Sequence, residues 1–163
     1  MNGLYKKSEI GFALLWIITY VISLSIADTI SLHVGIYKSI TSIVCIFLSF
    51  ILYRWIYIND LMNKYGLCKS NIPAKQLLYY IPFVIIASMN VCYGICMNYT
   101  LLETFLHIIS MLCVGFLEEV IFRGILFKAM CKDGLKIAVI VSSVTFGIGH
   151  IVNLFNGSGV DLF

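Results

Sequence analysis

The sequence predicts an all-α, polytopic transmembrane helix bundle of about five membrane-spanning helices in a single domain over residues 1–163. Charged residues make up 12% of the 163, against about 25% in an ordinary soluble domain. Hydrophobic residues make up 61%, and the mean hydropathy is +0.99. The apolar residues gather in five long stretches, each apolar all round rather than alternating. A helix needs about 20 such residues to cross a hydrocarbon core of about 30 Å, whereas β-barrel strands are about half as long.

The expected helices lie near residues 10–27, 36–58, 77–97, 101–130 and 135–155. Lys6 and Lys7 precede the first, and Ser25-Ile26-Ala27 resembles a cleavage site at its end. Its apolar run exceeds the 7–15 residues of a signal peptide, so it reads as an uncleaved anchor. Between the second and third stretches, Asn59, Asp60, Gly66, Asn71 and Pro73 mark the longest polar connection, which is expected to lie along the membrane surface. Pro73 suits the first turn of the third helix, and Pro82 should kink that helix. Six cysteines are scattered without CxxC spacing, and the i, i+4 pair Cys92 and Cys96 reads as core packing rather than a metal site.

Lysine and arginine alternate in density from one connection to the next. Lys6 and Lys7 come first; Arg54, Lys64, Lys69 and Lys75 flank the second connection; Lys128, Lys132 and Lys136 flank the fourth. Lys38 stands alone in the first connection, and the third has neither residue type. The positive-inside rule then places the N-terminus in the cytoplasm. The Ile/Lys/Asn-rich composition suggests a bacterial cell membrane.

Within the fourth stretch, Glu118-Glu119-Val120-Ile121-Phe122-Arg123-Gly124 puts three charges where insertion scales charge about 2.5–3.5 kcal/mol for one Asp, Lys or Arg. On a helix Glu119 and Arg123 are i, i+4 neighbours and can neutralise each other. Glu118 is turned about 100° away and is left over. A carboxylate without a cation in a low-dielectric site can serve as a general acid or base. The next helix carries Phe146-Gly147-Ile148-Gly149-His150. At 1.5 Å per residue, Glu118 lies about 18 Å from Met130 and His150 about 24 Å from Gly134, so the two are about one turn apart in depth. A Glu–His pair that holds and deprotonates a water is a minimal apparatus for amide hydrolysis. The bland alternatives are a structural Glu119–Arg123 ion pair, a protonated and hydrogen-bonded Glu118, and a His150 that only joins helices.

Other polar residues carry less. Glu103 and His107 are also i, i+4 and are expected near the outer interface, and Asp28 and His33 in a solvated outer loop. HExxH, GxSxG and phosphate-loop patterns do not occur, and no basic aromatic patch points to nucleic acid. A small proton-relaying transporter subunit would be expected to show repeated halves, and none are visible.

The first motif resembles EExxxR and the second FxxxH, the paired signatures of the CPBP family of CAAX proteases and bacteriocin-processing enzymes, also called Abi. The resemblance spans about residues 77–153. It implies an intramembrane endopeptidase that cuts a membrane-associated peptide or protein, with bacterial members linked to bacteriocin processing and self-immunity. Carried over by position, Glu118 would activate a water and His150 would help bind it, with Glu119, Arg123 and Phe146 in support. A glutamate–water mechanism needs no cofactor. The family has also been called metalloproteases, and Glu118, Glu119 and His150 are the residues that would hold zinc. The family's later His/Asp and Asn motif has no counterpart before Phe163, so the chain is expected to be truncated, partner-dependent or inactive. An inactive member would be a membrane immunity or regulatory binding protein.

Overall fold

A computed structural model of the chain describes residues 1–69, 73, 75–76, 80–82, 84–85 and 99–153, the last four by backbone alone. Every regular element among them is helical. A short helix α1 (Asn2–Lys7) leads through Ser8 into α2 (Glu9–Val34), whose first turn is capped by the Ser8 Oγ accepting from Gly11 N at 3.0 Å. Helix α3 (Ser39–Ile58) returns, and α4 (Leu101–Glu118) continues without a break through a π-helical segment (Glu119–Leu126), α5 (Phe127–Met130) and a 3-10 turn (Cys131–Asp133). Helix α6 (Leu135–Asn153) follows the Gly134 turn. Three of the described helices, Glu9–Val34, Ser39–Ile58 and the continuous Leu101–Asp133, are long and apolar enough to cross a membrane. Most of the expected third span, with Cys92 and Cys96, lies outside the described residues.

The first span overruns its expected end. Helix α2 continues past Ala27 to Val34 and stops at Gly35, whose φ of 78° is the left-handed C-cap that glycine adopts without a Cβ penalty. Asp28 and His33 are therefore helical, not part of a solvated loop. His33 is exposed, but Asp28 is engaged by α3: its Oδ1 accepts from Lys38 Nζ at 2.8 Å and Thr41 Oγ1 at 2.5 Å. Nearby, the Ser31 Oγ accepts from the backbone N–H groups of Ile40 and Thr41, so α2 caps the start of α3.

One face of each long helix meets in a common core. Phe12, Trp16 and Tyr20 recur every four residues on α2, as do Leu48, Leu52 and Ile56 on α3. They pack with Trp55, Tyr65, Leu117 and the apolar side chains of the π segment. The opposite faces expose Leu14, Ile18, Ile22 and Ile26 on α2 and Ile43, Phe47 and Phe50 on α3, as expected of helices solvated by lipid. At the end where α2 begins, Glu9 accepts from Lys64 and Lys132 at 3.1 Å each, which ties three segments together. Burial works to lower the Lys64 pKa, but the Tyr5 hydroxyl and the Glu9 carboxylate outweigh it and raise it above the usual lysine value.

Candidate active site

The charged motif coincides with a change of helix type. From Glu119 to Leu126 the backbone is π-helical, with i to i+5 bonding in place of i to i+4, a form found mostly as single turns inside α-helices and frequently at functional sites. Six of its eight residues are buried. The two that remain exposed are Glu119 and Arg123, and Arg123 Nη1 donates to Glu119 Oε1 in an ion pair on the outer face of the segment. The pairing expected from an α-helical register thus survives in a widened helix.

Glu118, the last α-helical residue before the π segment, is half-buried and takes no part in that ion pair. Its Oε1 accepts a hydrogen bond of 2.9 Å from the phenol of Tyr20 on α2. Tyr20 is only 6% exposed and sits at the upper end of the Phe12–Trp16–Tyr20 stripe. Sequence reasoning missed this residue, although a signal was present. Tyr20 lies about 16 Å along α2 from Glu9, close to the depth computed for Glu118 from Met130. A phenol at that depth needs a partner, since hydrocarbon supplies none.

A small cavity adjoins the carboxylate. It has a volume of about 30 Å³ and is lined by Tyr20, Val21, Leu24, Glu118, Phe122, Phe146 and Gly149. One water needs roughly 10–15 Å³ on this kind of measure, so the space suits one or two waters. Phe146 and Gly149 come from α6, the helix that also carries His150. The His150 side chain lies outside the described residues; its backbone continues α6 directly after Gly149.

Phe146 links the two motifs. Its ring meets Phe122 edge-on at 5.4 Å between centroids, and the Arg123 guanidinium lies 5.8 Å from its centre. The first residue of one motif therefore rests on two residues of the other.

Glu103 and His107 are remote from this cavity. Glu103 completes a capping box with Thr100 and accepts from Tyr37 N at 3.0 Å, which anchors the α2–α3 connection to the start of α4. His107 lies 5.6 Å from the Tyr37 ring, and its buried Nδ1 has no partner among the described residues.

The zinc set read from the sequence, Glu118, Glu119 and His150, includes a side chain that lies outside the described residues. The described residues contain no group of three His, Cys, Asp or Glu arranged to hold a metal. Glu119 is committed to Arg123 and one oxygen of Glu118 to Tyr20.

Residues 100–163 match the family model described as Type II CAAX prenyl endopeptidase Rce1-like. Both motifs fall within the matched region, and the match bears out the resemblance read from them. Tyr20 lies outside it. No curated protein and no solved structure matches the chain.

Proposed function

With the Rce1-like match over residues 100–163 as premise, we propose that the chain is an intramembrane endopeptidase in which Glu118 activates a water against a peptide bond of a membrane-associated peptide or protein. The observation that carries this reading is the water-sized cavity, bounded by Glu118 on one side and by Phe146 and Gly149 of the second motif's helix on the other. In the proposed reaction Glu118 accepts a proton from the water as its oxygen bonds to the scissile carbonyl carbon. The same proton then passes to the departing nitrogen as the C–N bond breaks, so Glu118 ends as it began. His150, just beyond Gly149, would help hold the water. Glu119 and Arg123 would neutralise each other beside the site, and Phe146 would keep the two helices in register. No metal takes part in this scheme.

The physiological role we favour is processing of, or self-immunity to, a bacteriocin-like peptide in a bacterial cell membrane. The test compares the wild type with Glu118→Gln and His150→Ala in peptide cleavage and in protection of cells. General acid–base catalysis contributes typically 10²–10⁴-fold, so each substitution is expected to reduce cleavage at least a hundredfold and to remove protection. Protection that survives both substitutions would overturn the proposal in favour of a non-catalytic membrane binding protein.

A further inference from the structure

We propose that Tyr20 is the positioning residue of Glu118. The catalytic consequence rests on the hydrolytic reading above; the geometry does not. The phenol donates to Oε1 at 2.9 Å, and among the described residues no other side chain bonds this carboxylate. One oxygen is thus held while the other stays available to whatever occupies the adjoining cavity, which Tyr20 and Glu118 line together.

Several features make Tyr20 suited to the task. It is buried in a stripe with Phe12 and Trp16, so its ring is fixed by packing and its hydroxyl is presented from a rigid support. It approaches from α2, while Glu118 marks the junction of α4 with the π segment. The bond therefore joins two separate helices at the site. Tyr20 keeps its own proton throughout; the proton that moves is the water's. Because α2 lies outside the region matched to the family, the site is completed by a part of the chain that the match does not cover.

The test uses the full chain in lipid nanodiscs. An infrared difference spectrum between wild type and Glu118→Gln isolates the Glu118 carboxyl bands. Tyr20→Phe keeps the ring and is expected to move those bands, while Ile22→Ala, on the lipid-facing side of the same helix, leaves them in place. In cleavage assays Tyr20→Phe should lower kcat about tenfold to a hundredfold with KM unchanged, as for a misplaced reacting group. Bands that do not move in Tyr20→Phe, or an unchanged kcat, would overturn the assignment. If the bands move while wild type and Glu118→Gln fail alike to cleave, the positioning bond stands and the hydrolytic reading falls.

Discussion

Glu119 and Arg123 show how one pair of residues can be legible from spacing alone. Their i, i+4 separation and acid-first order predict an ion pair, and the structure forms one even though the helix between them is π rather than α. Both side chains lie on the exterior, at 59% and 66% exposure. In water such a pair would contribute little. Beside hydrocarbon the main effect is different: each charge prevents the other from standing alone. Arg123→Met should therefore destabilise the protein more than the double substitution Glu119→Gln/Arg123→Met does. A double-mutant cycle of unfolding in bicelles should return a coupling of about 1 kcal/mol, the range found between polar groups in membrane helices. A coupling near zero would mean that the pair is solvated and irrelevant to folding. Tyr20 illustrates the opposite case. Its partner is 98 positions away, so no local spacing reveals the bond, and only a comparison of depths along two helices hints at it.

Helix boundaries were less legible than helix existence. Four of the five expected stretches are found as helices near their expected places, and most of the remaining one lies outside the described residues. The end of α2 was misplaced because Asp28 and His33 look like loop residues when read for polarity. Backbone conformation decides the matter instead. Polar side chains do not stop a helix when a neighbouring segment satisfies them, and Asp28 has Lys38 and Thr41. The stop comes from Gly35 at φ 78°, with its N–H bonded back to Ser31 and Leu32. A Cβ added there meets nothing within 4 Å, so the cost of Gly35→Ala is purely conformational. It should destabilise by about 1 kcal/mol, and Gly35→Asn should cost clearly less, since asparagine tolerates the left-handed region. Equal stability for glycine and alanine would show that the turn is not held in this conformation. The π segment, by contrast, has no recognisable sequence cue: it contains no proline, and its apolar spacing is compatible with an ordinary α-helix.

The ends of the bundle differ in chemistry, and the difference follows from how charges are spaced along the whole chain. At one end Glu9 draws in Lys64 from the segment after α3 and Lys132 from the turn before α6, next to Lys6 and Lys7 of α1. At the other end Lys38 is neutralised by Asp28, and the Glu103 carboxylate is used by the Tyr37 backbone and the Thr100 cap. The sequence-level count of lysines in alternate connections is thus matched by a spatial segregation that joins three basic segments at a single end. The positive-inside rule predicts that such an end faces the cytoplasm. Two exposed positions report on this. Cys68 follows Lys64 near the basic end, and Ile36 lies in the α2–α3 turn at the other, 38% exposed. In a background with the remaining cysteines replaced by alanine, a membrane-impermeant maleimide added to intact cells should label Ile36→Cys and leave Cys68 unlabelled until the membrane is opened. The reverse pattern would invert the bundle. Glu118, about 16–18 Å from the basic end by helical rise, would then lie nearer the outer face than the cytoplasmic one.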